Sequence, residues 1–174
     1  MSNTDIIERH IISVLVDNEP GVLARVIGLF SGRGYNIESL TVSETDKDLN
    51  ISRISIVTSG TPMVIEQIKA QLLRLVPIHS VCDLTETGAA IERELALVKI
   101  INSGDQRIEA LRIADTFRAR TLDSTLNSFV FEVTGNTSKV AAFVDLMRSL
   151  GKIEVARTGV SAISRGNQID LMSK

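Results

Sequence analysis

The residues best suited to chemistry lie in a turn that follows the first apolar stretch of the chain, from Asp17 to Gly21. The turn ends in Asn-Glu-Pro-Gly, and a helical pattern then runs from Val22 to Ser31. The first N–H groups of a helix have no partner within the helix, and they favour an anionic guest. Gly21 has no Cβ, so the backbone there can approach a guest closely. The pattern is compatible with a small carboxylate site, and equally with a tight strand-to-helix turn that holds no ligand.

Other residues that could bind metals or perform catalysis do not form a recognisable set. His79 and Cys82 have a spacing that places them on opposite sides of a strand, and no second ligand pair completes a zinc site. The segment from Asp46 to Asn50 imitates the start of a calcium loop but lacks the required glycine and glutamate. The sequence has no phosphate-binding glycine loop and no arrangement that marks a serine as a nucleophile. We therefore predict no catalytic residues and no metal site.

Composition excludes several classes of function. The chain has 174 residues, 44% hydrophobic and 23% charged, with 3% aromatic residues, no tryptophan and a formal net charge of −2. Nucleic-acid binding needs a basic surface or aromatic stacking residues, so we expect neither DNA nor RNA as a partner. The lone Cys82 fits a reducing compartment, and no apolar run reaches the roughly 18 residues of a membrane span. The expected location is the cytoplasm.

The periodicity of the first half of the chain predicts the elements that position the turn. Alternating apolar residues indicate strands, and apolar residues three or four apart indicate helices. Thr61 and Pro62 mark the start of the second helix. The predicted strands are 9–17, 35–44, 51–59 and 78–85, and the predicted helices are 22–31 and 62–75. This order is the split βαβ arrangement of ferredoxin-like folds, and isoleucines and valines on both faces of its strands require a cover for the second face.

The same order recurs after a short linker, which predicts a second copy of the unit. Its predicted strands are 92–102, 120–125, 128–134 and 153–158. Its first helix is capped by Ser103 or Asp105 and runs to about residue 119, and its second is capped by Thr137 or Ser138 and runs to residue 150. The fold class is therefore α+β, with two tandem ferredoxin-like βαββαβ domains whose antiparallel sheets carry helices on one face. We place the domains at 8–85 and 92–160, followed by a polar tail at 161–174.

Two segments of the sequence carry a family resemblance. The turn D-N-E-P-G-V-L, the segment R-G-Y-N-I-E-S-L-T-V and the ferredoxin-like order resemble an ACT domain, a module that senses small molecules. With the second domain and the ending R-T-G-V-S-A-I-S-R-G, the chain resembles the small regulatory subunits of acetolactate synthase (acetohydroxyacid synthase). The resemblance covers about residues 8–167, and the first domain would then be the ACT domain responsible for effector binding and dimerisation.

The resemblance implies a protein without a catalytic site that activates a separate catalytic subunit in branched-chain amino-acid biosynthesis and makes it sensitive to feedback by valine. The chain itself would hold no cofactor, whereas the catalytic large subunit would use thiamine diphosphate, Mg²⁺ and FAD. ACT domains of this family pair side by side in a homodimer. An effector then lies between the strand-to-helix turn of one protomer and the partner chain.

The resemblance also implies a valine-binding set, carried over onto matching positions. The turn segment contributes Asn18, Gly21, Val22 and Leu23, and the second segment contributes Asn36 and Ile37. Backbone N–H groups from the turn would bind the carboxylate, and the amides of the two asparagines can serve either charged group of valine.

Three alternatives stay open at this stage. Tyr35 is either a ligand wall or a dimer contact. The second domain, whose turn carries the negative Asp105, is a dimerisation or catalytic-subunit contact rather than a second valine site. The competing function is a free-standing amino-acid-sensing ACT protein or a transcription regulator. The sequence alone does not decide whether leucine or isoleucine also binds, or how many subunits assemble.

Overall fold

The computed structural model describes residues 6–86, 88, 90–167 and 169. The chain divides into two compact units, of which the first combines the residues up to Ile91 with those from Val160 onward, and the second spans Glu92–Gly159. No helix in these described ranges is long and apolar enough to cross a membrane.

The first unit is a four-stranded antiparallel sheet with two helices. In chain order its elements are β1 (Glu8–Asp17), α1 (Val22–Arg33), β2 (Ser39–Asp46), β3 (Ile51–Gly60), α2 (Pro62–Leu72) and β4 (Ile78–Asp83). The strand order across the sheet is β2-β3-β1-β4, so β2 and β4 are its edges. This topology confirms the ferredoxin-like fold that the sequence predicts.

Both helices pack on one face of this sheet. Alternation along β1 directs Ile12, Val14 and Val16 towards them, and all three are buried. The helices contribute apolar residues three or four positions apart to the same core. These include Val22, Val26 and Phe30 of α1 and Ile65, Ile68 and Leu72 of α2. Burial of each such side chain contributes about 1.5–3 kcal/mol, so this packing holds both helices on the sheet.

Local signals at the helix ends shift two predicted boundaries. Gly34 has a φ of +71°, and Tyr35 donates its amide to the carbonyl of Phe30 over 3.0 Å, which closes the last turn of α1. This cap turns the chain back, so β2 begins at Ser39 instead of residue 35. Thr61 caps α2 as predicted, since it accepts the Val64 amide over 3.4 Å, but α2 ends at Leu72 and not at residue 75.

The second unit repeats the same topology. Its elements are β5 (Ile91–Ile101), α3 (Asp105–Phe117), β6 (Arg120–Ser124), β7 (Ser128–Gly135), α4 (Thr137–Leu150) and β8 (Lys152–Arg157), and its strand order is β6-β7-β5-β8. Phe131 and Phe143 lie at the centre of its core, with ring centroids 6.2 Å apart. The predicted caps were wrong by one or two residues, because Gly104 precedes α3 and the Asn136 side chain accepts the Lys139 amide at the start of α4.

A ninth strand corrects the predicted polar tail. Residues 161–163 form β9 (Ser161–Ile163), which alternates so that Ala162 is buried while its neighbours are exposed. Val160 and Ala162 pack against Ile11, Val57 and Leu84 in a small apolar cluster. This segment of the chain therefore provides part of the cover that the second face of the first sheet requires. Within the predicted tail, position 168 and positions 170–174 lie outside the described residues.

Candidate functional site

The turn between β1 and α1 is fastened to its surroundings at several points. Asp17 donates its amide to the carbonyl of Pro77 over 2.9 Å, and Asn18 donates its amide to the carbonyl of Asn50 over 2.8 Å. A carboxylate oxygen of Asp17 lies 2.6 Å from Nε2 of His79. Gly21 precedes the helix with a φ of +87°, a conformation that side chains disfavour. These contacts tie the end of β1 and the first residue of the turn to the β2–β3 hairpin and to the start of β4.

Some backbone amides at the start of α1 are available as hydrogen-bond donors to an anion. The Val22 amide contacts the carbonyl of Glu19 over a long 3.4 Å, and the Arg25 amide binds the carbonyl of Gly21. For the amides of Leu23 and Ala24, no partner is found among the described residues. Among the amides from Val22 to Arg25, those of Leu23 and Ala24 are therefore the donors available to a ligand.

The side chains of the turn segment divide into core and surface. Val22 is buried in the core between helices and sheet, so only its backbone can face a ligand. Gly21 and Asn18 are exposed, and the Leu23 side chain is 37% exposed. Nδ2 of Asn18 donates to Oε1 of Glu44 over 3.3 Å. Glu44, which no motif in the sequence marks, therefore contacts this turn segment.

The second predicted segment lies at the other end of α1. Asn36 has an exposed side chain, and its carbonyl accepts a hydrogen bond from Oγ1 of Thr58 over 2.7 Å. Ile37 is half-buried at the border of the core. The Tyr35 ring packs edge-on against Phe30, and its hydroxyl donates to the Gln67 side chain over 3.3 Å. Tyr35 thus has partners within its own chain.

One chain does not bring the two segments together. The 12 residues of α1 separate them, which corresponds to a length of about 18 Å. The strand register gives the same result. Ser39, which follows the second segment, pairs with Val57, and Val57 pairs with Ile11 near the start of β1. Glu44, by contrast, lies level with Ser52 beside the turn, near the end of β1. Asn18 and Asn36 therefore lie at opposite ends of the same sheet.

The strand between these two ends is an open edge. β2 has β3 on one side only, and the side chain of Val42 near its middle is 41% exposed. An unpaired edge is a surface on which another strand can add. The opposite edge of the sheet is β4, which pairs with β1. Of the two edges, β2 is the one that runs from the turn segment to the second segment.

Other features of the structure bear on the earlier expectations. Oδ1 of Asp46 accepts the amides of Asp48 and Leu49 over 3.0 Å each, so the imitation of a calcium loop is a hairpin turn held by its own side chain. Among the described residues, no group of three or more histidine, cysteine or acidic side chains could hold a metal ion. In the second unit, Gly104 has a φ of +58°, and Asp105 is exposed in the first turn of α3.

Comparison with known proteins defines the class first. Residues 12–80 match a family model described as the AHAS small subunit-like ACT domain. The first unit, with its turn and its edge strand, is therefore an ACT domain. Residues 93–166 match a second family model, described as the small subunit of acetolactate synthase.

Whole-chain relatives then define the particular family. A probable acetolactate synthase small subunit from Archaeoglobus fulgidus is 48% identical over 160 residues, which cover 92% of this chain and 99% of that protein. The small subunit of acetolactate synthase isozyme 3 from Escherichia coli is 49% identical over 162 residues, 92% of this chain and 98% of that protein. The crystal structure of the Thermotoga maritima acetolactate synthase small subunit is 37% identical, with a TM-score of 0.82 and coverage of 92% and 99%.

The chain belongs to the family of acetolactate synthase small subunits. It is accordingly a regulatory subunit of an enzyme complex, and a small subunit implies a catalytic large subunit as its partner.

Proposed function

We propose that this protein activates the catalytic subunit of acetolactate synthase and makes it sensitive to feedback inhibition by valine, bound between the ACT domains of two copies of the chain. The observation that carries the proposal is the separation of the two predicted site segments to opposite ends of the open edge strand β2. Membership of the acetolactate synthase small-subunit family supplies the enzyme on which the regulation acts.

A two-fold pairing of two chains along β2 would complete the site. In a two-fold interface the same surface faces itself, so two β2 strands would run antiparallel. The turn of one copy, with Asn18 and Gly21, would then lie beside Asn36 and Ile37 of the other. Each dimer would hold two equivalent sites, one at each end of the paired strands. The pairing would also satisfy the open edge and cover the exposed side chain of Val42.

The chemistry of the turn suits the two charged groups of an amino acid. The free amides of Leu23 and Ala24 lie at the positive end of α1 and would donate to the carboxylate. The side-chain amides of Asn18 and Asn36 offer an oxygen to the ammonium group or a nitrogen to the carboxylate. Leu23 and Ile37 would provide an apolar wall for the isopropyl group. Burial of that group contributes only about 1.5–3 kcal/mol, so the polar contacts set orientation.

Regulation requires that valine bind one arrangement of the dimer more tightly than another. The arrangement that valine favours would hold the catalytic subunit in a less active form, with a coupling free energy of about 1–3 kcal/mol. The chemistry of the reaction would remain with the catalytic subunit and with its thiamine diphosphate, Mg²⁺ and FAD. The expected location of the complex is the cytoplasm.

Two measurements test the proposal. Isothermal titration of the full-length protein with valine should show binding, with one site per chain. Reconstitution with the catalytic subunit should raise its activity, and valine should then lower it. The absence of heat at millimolar valine would contradict the effector assignment, and unchanged activity on reconstitution would contradict the activating role.

A further inference from the structure

We propose that Glu44 binds the α-ammonium group of the effector, so that the site selects zwitterionic α-amino acids over the corresponding 2-hydroxy and 2-oxo acids. This inference rests on the proposed function, because it takes the turn of the ACT domain to be the effector site. It adds a residue that the sequence pattern did not indicate and a reason for the chemical class of the ligand.

The strand register places Glu44 on the correct face. Glu44 pairs with Ser52 across β2 and β3, and Ser52 pairs with Val16 across β3 and β1. Residues paired across strands point to the same face of a sheet, and Val16 is packed beneath the helices. Glu44 is therefore on the helix side, at the level where β1 ends and the turn to α1 begins. The register shifts just beyond it, between Glu44 and Asp46.

The contact with Asn18 confirms this position and shows that the carboxylate has room for another partner. Nδ2 of Asn18 lies 3.3 Å from Oε1 of Glu44, a long hydrogen bond between two exposed side chains. A carboxylate has two oxygens with about four acceptor sites, and the donor here is neutral. An ammonium group offers three donors and a full positive charge. Glu44 therefore gains a stronger partner when an amino acid binds, and Asn18 can remain in place.

Neighbouring acidic groups are already engaged. The carboxylate of Asp17 is held by His79 at 2.6 Å, and the carboxylate of Asp46 is held by two backbone amides of its hairpin. Glu19, which lies in the turn itself, is a rival for the ammonium group. Its carbonyl contacts the Val22 amide, and its side chain is exposed. Glu19 is therefore the natural control for any test of Glu44.

The position of Glu44 also complements the helix. The free amides at the start of α1 attract the carboxylate of a ligand, whereas Glu44 attracts a cation and repels an anion. A 2-oxo or 2-hydroxy acid has a carboxylate but no ammonium group. Glu44 would repel that carboxylate and would form no compensating ion pair with the ligand. Valine presents both charges, one for each end of the site. The N-terminus of α1 and the carboxylate of Glu44 together thus favour an amino acid, which carries both charges, over a small carboxylate without an ammonium group.

The test is a binding cycle on the full-length protein with two probes, valine and 2-hydroxy-3-methylbutanoate, which lacks the ammonium group. The wild type should bind valine more tightly than the hydroxy acid. Glu44→Gln should weaken valine binding by about tenfold, the effect expected of one lost charge-assisted contact, and should leave or improve binding of the hydroxy acid. Glu19→Gln removes an equal charge from the turn beside Glu44 and should leave the preference for valine unchanged. Glu44→Asp keeps the charge on a shorter side chain and should retain part of the preference.

The outcomes separate the inference from the proposed function. An unchanged preference for valine in Glu44→Gln, in a protein whose wild type binds valine, would overturn the role of Glu44 and leave the effector site intact. A loss of preference in Glu19→Gln alone would move the ammonium contact to Glu19. No valine binding by the wild type would overturn the effector site and the inference together. Thermal unfolding of each variant checks its fold, and Glu44→Asp decides the matter if Glu44→Gln does not fold.

Discussion

At the residue scale, Gly21 has two roles that mutation can separate. Its φ of +87° makes any side chain costly, by about 1–2 kcal/mol, because L residues disfavour the left-handed region. Steric crowding adds nothing to this cost, since no atom lies within 4 Å of the place that a Cβ would occupy. The open space beside Gly21 adjoins the free amides of α1. A substitution at Gly21 should therefore lower stability through the backbone conformation and, separately, obstruct the space that the effector would occupy.

Gly21→Asp should abolish valine binding and feedback inhibition while activation of the catalytic subunit survives. The new carboxylate would stand beside the amides that receive the carboxylate of valine, so repulsion adds to the occupied space. Stability should fall by about 1–2 kcal/mol through the backbone alone. The measurements are valine titration, urea unfolding and an assay of the reconstituted enzyme with and without valine.

Gly28→Asp is the matched control for this variant. Gly28 lies in the same helix, is exposed and also has no atom within 4 Å of an added Cβ, but its φ is not in the left-handed region. It should keep valine binding and feedback, without the backbone cost. Equal valine inhibition in Gly21→Asp and in the wild type would reject the assignment of the site to this turn.

At the element scale, the sequence predicts what depends on local signals. The alternation of β1, the helical spacing within α1 and α2, and the cap at Thr61 follow from neighbouring residues. The start of β2 was misplaced because the cap around Gly34 directs the amide of Tyr35 back to Phe30. The position of Glu44 beside Asn18 depends on the register of three strands, and such a register is not visible in a local pattern. A strand of three residues, β9, is too short for alternation to predict it.

Ala162→Asp should destabilise the first unit by about 2 kcal/mol or more. Ala162 is 3% exposed within the cluster of Ile11, Val57 and Leu84, so a carboxylate there would be buried in apolar surroundings. Urea unfolding followed by circular dichroism measures the loss.

Ser161→Asp provides the comparison at the same strand. Ser161 is exposed next to Ala162, so the same charge should change the stability by less than about 0.5 kcal/mol. Equal effects of the two substitutions would show that β9 does not cover the sheet in solution.

At the scale of the whole molecule, the separation of Asn18 from Asn36 makes the number of chains part of the mechanism. One chain holds both segments but places them about 18 Å apart along α1. If the site is shared, each dimer contains two sites, and each site takes its turn from one chain and its second segment from the other. A site within one chain would instead need only its own residues. Mixed dimers distinguish these two arrangements.

Equal amounts of Gly21→Asp and Asn36→Ala chains, each inactive in valine binding by itself, should recover binding when mixed. In a mixed dimer of a shared-site protein, one site combines both substitutions, whereas the other has an intact turn and an intact second segment. Random exchange makes about half of the dimers mixed, so about a quarter of the wild-type sites should return with wild-type affinity. If the mixed dimers are first isolated through two different affinity tags, titration should find about half of the wild-type number of valine sites, because every such dimer has one intact site. Mixed dimers that bind no valine would place each site within a single chain and would separate dimerisation through β2 from effector binding.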